Sequence, residues 1–179
     1  MRVPDAEEAR RRLRAAGATL VHPRVFEDNR LYDDAQGTFV AREWVLRLRS
    51  CGGRHTVTFK RPVGDAPGVD RYKIRVEHET TVGDPDAFDR LLRELGFRPG
   101  WRYQKHRETY HLGDVEALLD ETPIGVFVEL EGAAEAIDRA ATLLGFSPRD
   151  YITKTYRALA EDLAGGGDPG DLVIPDDAR

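Results

Sequence analysis

Cysteine is almost missing from this chain: Cys51 is the single one among 179 residues. That excludes an intramolecular disulfide framework and any zinc or iron–sulfur site built on several thiolates. An excess of basic charge is missing too. Lys and Arg number 27 against 32 Asp and Glu, a formal net charge of −5, so the accumulated positive charge behind nucleic-acid binding is not there. No apolar run approaches about 18 residues, which leaves no membrane-spanning helix. Residues 1–14 mix acids with arginines and do not resemble a secretory or transit signal. Aromatics make up only 8%, which favours packing roles for Trp44 and Trp101 over base stacking. What these absences leave is a cytoplasmic protein of one domain, long enough to bury a core unaided.

Lysine is scarce as well: Lys60, Lys73, Lys105 and Lys154 are all there are, so 23 of the 27 basic residues are arginine. Ammonium and guanidinium are not interchangeable at a tight oxygen site, so each lysine is worth placing. Lys73 is read as a surface residue. The five histidines show no metal-ligand spacing, and Cys51 lies in a glycine-rich turn without an electropositive niche.

Caps and periodicity predict helices at Asp5–Gly17, Asp84–Gly96 and about 133–144, then a short one after Ser147-Pro148 and a last one over Tyr156–Leu163. Alternation predicts strands at Trp44–Arg49, Thr56–Lys60, Arg71–Glu79, Tyr103–Tyr110 and Val126–Glu131. Turns fall at Cys51-Gly52-Gly53 and Gly113-Asp114. The tract Gly165-Gly166-Gly167-Asp168-Pro169-Gly170 cannot hold a helix, so residues 165–179 read as a flexible tail and 1–164 as the folded domain.

Each predicted strand has an ionic face. An open sheet with that face in water is the plain reading. Closing the sheet turns the charges inward, where they need partners or bound ions. Arg and Lys would then meet phosphate oxygens, and carboxylates would hold a hard divalent ion bridging the same phosphates.

The series Arg47-Leu48-Arg49, Lys60, Arg75-Val76-Glu77-His78-Glu79, Lys105-His106-Arg107 and Asp120 through Glu131, followed by Lys154-Thr155-Tyr156, resembles the CYTH family of triphosphate tunnel metalloenzymes. Within it the wording is most similar to bacterial class IV adenylate cyclase-like and thiamine triphosphatase-like members. The resemblance implies an α+β fold, an eight-stranded antiparallel β-barrel, closed or nearly so, with helices outside. It implies phosphate binding by Arg47, Arg49, Lys60, Arg75, Lys105, Arg107 and Lys154. It implies Mg²⁺ or Mn²⁺ held by Glu77, Glu79, Asp120, Glu129 and Glu131, with Lys60, Arg107, Glu129 and Glu131 closest to the chemistry. The substrate would be ATP, thiamine triphosphate or tripolyphosphate, cyclised or hydrolysed.

Two departures from the family pattern stand out. The Glu-x-Glu-x-Lys strand expected before the first helix is not there, since Met1-Arg2-Val3-Pro4 runs directly into it. The first helix matches the second at an offset of 79 residues, and the second follows a strand with Glu77 and Glu79. Both observations put an equivalent strand upstream of Met1. Without it, a non-catalytic module binding nucleotide or polyphosphate is the alternative, and a homodimer covering the open edge is compatible with such a barrel. The second departure is Arg61-Pro62 after Lys60, where the family usually has Gly-Pro; it is expected to alter a turn only.

Overall fold

A computed structural model describes residues 1–64 and 72–176. In chain order the elements are β1 (Arg2–Val3), α1 (Ala6–Ala15), β2 (Thr19–Asp33), α2 (Thr38–Ala41), β3 (Val45–Cys51), β4 (Arg54–Pro62), β5 (Arg75–Val82), α3 (Pro85–Glu94), β6 (Arg98–Leu112), β7 (Val115–Thr122), β8 (Gly125–Glu131), α4 (Ala134–Leu143) and α5 (Tyr156–Leu163). A 3₁₀ turn at Pro148–Asp150 precedes α5. Among the described residues the strands form one eight-stranded antiparallel sheet in the order β1-β8-β7-β6-β2-β3-β4-β5, flanked by helices. This is the α+β architecture expected.

The chain divides into two compact units. The first comprises residues 1–26, 105–169 and the described residues from 174 on; the second comprises 27–104 and 170–173.

In the first unit, one face of β6–β8 packs on helices. Tyr110, Leu112, Val115, Ala117, Leu119 and Val128 share a core with Ala9 and Leu13 of α1 and Ala140 of α4. Helix α1 starts where the Asp5 carboxylate accepts the Glu8 amide at 2.8 Å. Glu7 and Glu8 in its first turn and Arg12 and Arg14 in its last oppose the helix dipole favourably. The pairings Arg107↔Asp120 and Asp120↔Phe127 put the other face of these strands in register. Because side chains alternate, Lys105, Arg107, Asp120 and Glu129 all point to that second face.

The second unit repeats the plan. Tyr32, Leu48 and Leu92 form its core with Leu46, Val57, Phe88 and Phe97 packed on it. The pairings Asn29↔Arg49, Arg47↔Thr58, Thr58↔Glu79 and Lys60↔Glu77 align the opposite, ionic face. Gly52 and Gly53, both with positive φ, close the two-residue hairpin between β3 and β4, as a type I′ turn requires.

Several features differ from the sequence expectation, the short helix α2 among them. No strand was expected before α1, yet Arg2–Val3 pairs with β8. Two residues suffice because Val3 is buried in the core and the terminal ammonium of Met1 donates to the Val128 carbonyl at 2.9 Å. Strand β2 was not foreseen, and β7 only as the return arm after the turn at Gly113-Asp114. The strand placed at Arg71–Glu79 runs over Arg75–Val82; Arg71 lies outside the described residues. Part of the expected tail is ordered: Leu172 bridges Tyr103, its amide donating to the Arg102 carbonyl and its carbonyl accepting from Gln104. The Trp101 indole donates to the Gly170 carbonyl at 2.8 Å. Glycine content argued for freedom there, and the buried Leu172 outweighs it; residues 177–179 lie outside the described chain.

Candidate active site

Part of each ionic face is withdrawn from water, unlike the face of a plain open sheet. Lys105 is 2% exposed, Asp120 0% and Arg47 7%. Burying such groups is costly unless they are paired, and the pairing is dense.

In the first unit the centre is Asp120. Its carboxylate accepts from Lys105 Nζ at 2.7 Å, from Arg107 Nε and Nη2 at 2.6 Å each, and from the Tyr156 hydroxyl at 2.8 Å. Arg107 Nη2 also reaches Glu129 at 2.7 Å. Burial raises the Asp120 carboxyl, but the adjacent Lys105 and Arg107 charges overcome it and hold it well below the usual range. The Tyr156 phenol is pushed well above its ordinary value by burial, then by the Glu129 and Asp120 charges, so it keeps its proton and donates a hydrogen bond to the carboxylate. Lys105 lies 5.5 Å from the Tyr156 ring centroid, a cation–π contact. Glu131, two residues past Glu129 on the same face of β8, is exposed.

In the second unit Arg49 donates from Nε to Asn29 Oδ1 at 3.0 Å and pairs with Glu27 at 3.3 Å. Arg47 donates to Thr58 at 3.2 Å, and Thr58 in turn donates to Glu79 at 2.8 Å. Lys60 pairs with Glu77 at 2.7 Å, and Arg75 donates to the Glu43 carbonyl at 2.8 Å.

The structure therefore brings Lys105, Arg107, Asp120 and Glu129 into one cluster and Arg47, Arg49, Lys60, Glu77 and Glu79 onto one strand face. Lys154 joins neither: it pairs with Asp162 at 2.5 Å and is exposed. Tyr156, two residues on, enters the cluster instead. Sequence reasoning missed Glu27 and Asn29 with the strand that carries them, and gave Tyr156 no place at the site. The second charged network escaped it as well. Arg10 of α1 donates to Glu108 at 2.6 Å and Glu121 at 3.0 Å on the helix-covered face, and Arg24 adds a contact to Glu121.

For a divalent ion, the described residues hold no cluster of three or more His, Cys, Asp or Glu in ligating reach. Mg²⁺ commonly uses only one or two carboxylates and completes its shell with phosphate oxygens and water. The hard oxygen donors Glu129 and Glu131, one step of the pleat apart, fit that donor set, as do Glu77 and Glu79 on β5.

Comparison with known proteins gives a consistent result. The CYTH domain family profile matches residues 1–156. A Methanocaldococcus jannaschii protein named as a candidate adenylate cyclase is 25% identical over 146 residues, spanning 80% of each chain. Among solved structures, a Pyrococcus horikoshii protein superposes with a TM-score of 0.75 at 23% identity, covering 88% of this chain and 94% of its own. A Vibrio parahaemolyticus protein described as a candidate adenylate cyclase gives 0.72 at 18%, covering 88% and 92%. A Hippeastrum protein, described as a candidate adenylyl cyclase with a dominant triphosphatase activity, gives 0.63 at 16%, covering 99% and 97%.

Proposed function

This chain belongs to the CYTH domain family, and from that premise we propose that it is a metal-dependent enzyme acting on a triphosphate. One observation carries the reading: a buried lysine and an arginine, Lys105 and Arg107, share a sheet face with Glu129, a carboxylate that remains partly open. Cations so arranged suit phosphate oxygens, and Arg presents a planar fork for two of them. Arg47, Arg49, Lys60 and Arg75 offer the same chemistry on the second unit's face.

Lys105 and Arg107 would bind and orient the phosphate chain and offset its charge as the leaving group departs, so their contribution is positioning and electrostatic stabilisation. Glu129 and Glu131 would hold Mg²⁺ or Mn²⁺. Such an ion, when bound, polarises a phosphoryl oxygen and lowers the pKa of the attacking water or hydroxyl. Attack by water releases orthophosphate; attack by the ribose 3′ hydroxyl of ATP yields cyclic AMP and pyrophosphate. The same side chains serve both. The Hippeastrum protein's triphosphatase activity weights the choice toward hydrolysis.

Glu129→Gln and Arg107→Ala are the test. With tripolyphosphate or ATP and Mg²⁺ or Mn²⁺, each is expected to lower the phosphate release rate by about 10²-fold or more, with circular dichroism unchanged. Full activity in Glu129→Gln contradicts the proposal.

A second reading has its own support. The described residues hold no cluster of three or more metal-ligating side chains, and a triphosphate-binding module without turnover would need none. Tight binding of tripolyphosphate by calorimetry, with no product in either metal, selects it.

A further inference from the structure

Among the five carboxylates that family resemblance assigns to the metal, Asp120 stands apart. It is 0% exposed and accepts four hydrogen bonds: Oδ1 from Arg107 Nε, and Oδ2 from Arg107 Nη2, Lys105 Nζ and the Tyr156 hydroxyl. An ionised carboxylate offers about four lone-pair sites, and four donors already crowd this one, three of them on Oδ2. Two full positive charges also stand within hydrogen-bond distance of it, and they repel an incoming cation at the same range.

We propose that Asp120 is a positioning residue, the buried counter-ion that fixes the Lys105 ammonium and the Arg107 guanidinium, and that it takes no part in binding the divalent ion. The inference rests on the reading above, in which those two cations meet the phosphates. Arg107 joins the two roles. Its Nη2 spans Asp120 and Glu129, so the guanidinium is anchored on a buried carboxylate and borders one whose side chain is 38% exposed. Glu129 and the exposed Glu131 are thereby left as the carboxylates open to a cation on this face.

Two measurements on the full chain decide it, neither needing turnover. The first is calorimetric titration with MnCl₂ alone. Glu129→Gln is expected to weaken Mn²⁺ binding by about tenfold or more, as loss of a metal-site contact does, while Asp120→Asn leaves it unchanged. An equal loss in both variants overturns the proposal. The second is a thermal double-mutant cycle of Asp120→Asn with Lys105→Met. Each single variant is expected to lower Tm, because each strands a buried opposite charge. The double is expected to lose clearly less than the sum. Additive losses overturn the proposal. Should Asp120→Asn fail to fold alone, the double variant is expected to fold, and its failure counts equally against the idea. A wild-type chain that takes up no Mn²⁺ defeats the metal-dependent function, and the stability cycle still decides the role of Asp120.

Discussion

Glu108 on β6 and Asp120 on β7 are carboxylates buried on opposite faces of neighbouring strands, and each is satisfied by a different part of the chain. Asp120 answers to cations two strand positions apart on β6. Glu108 answers to Arg10, 98 residues away on α1, and to the Tyr110 hydroxyl. Burial pushes the Tyr110 phenol up to about 12, and the Glu108 carboxylate adds to the shift. A phenol raised in the folded state contributes stability that is intact below its unfolded value of about 10 and is lost as pH rises through the folded one. Tyr110→Phe is therefore expected to flatten the fall in urea stability between about pH 10 and pH 12; an unchanged slope in that window contradicts the assignment. In the sequence, Lys105 and Arg107 are legible because their two-residue spacing puts both on one face of a strand. Glu108 is not, since nothing local distinguishes an exposed strand glutamate from one met by a helix arginine. Lys154 misled for a related reason: the motif is contiguous in sequence, but the turn into α5 sends Tyr156 inward and leaves Lys154 beside Asp162.

Helices were the most readable elements. Asp5 and Asp84 each cap a helix, Asp84 accepting from the Asp86 and Ala87 amides at 3.0 and 2.9 Å, and α5 spans the same residues that periodicity predicts. Strands with one polar face were readable for the same local reason. β7 was not, because Ala117, Leu118, Leu119 and Asp120 are all buried and a strand covered on both faces shows no alternation. β2 was not, because Pro23 and a run of exposed residues from 19 to 24 mask its start. The segment after the glycine tract belongs to this scale too. Ending the chain at Pro169 removes the Gly170–Trp101 bond, the Asp171 bond to the Arg102 amide, the Leu172 bridge and its buried side chain. Net of the chain entropy recovered, the loss is expected to be about 1–3 kcal/mol by chemical denaturation. Wild-type stability in the truncated chain contradicts a docked segment.

At the scale of the molecule, a chain with net charge −5 concentrates cations where strands bury them. Both units use the same device: one face of the strands packs on helices, and the other holds arginine and lysine against carboxylates. The order of those charges along the sequence was legible and carried the family. What pattern alone does not give is which ones neutralise each other, because that depends on register between strands far apart in the chain. Triphosphate chemistry at these faces underlies every step proposed above. Phosphorus NMR of the wild-type chain incubated with tripolyphosphate or ATP and Mg²⁺ tests it most directly. New orthophosphate or pyrophosphate resonances that fail to form when EDTA is present from the start are the predicted result; unchanged spectra for both substrates, with no perturbation on adding protein, would contradict it.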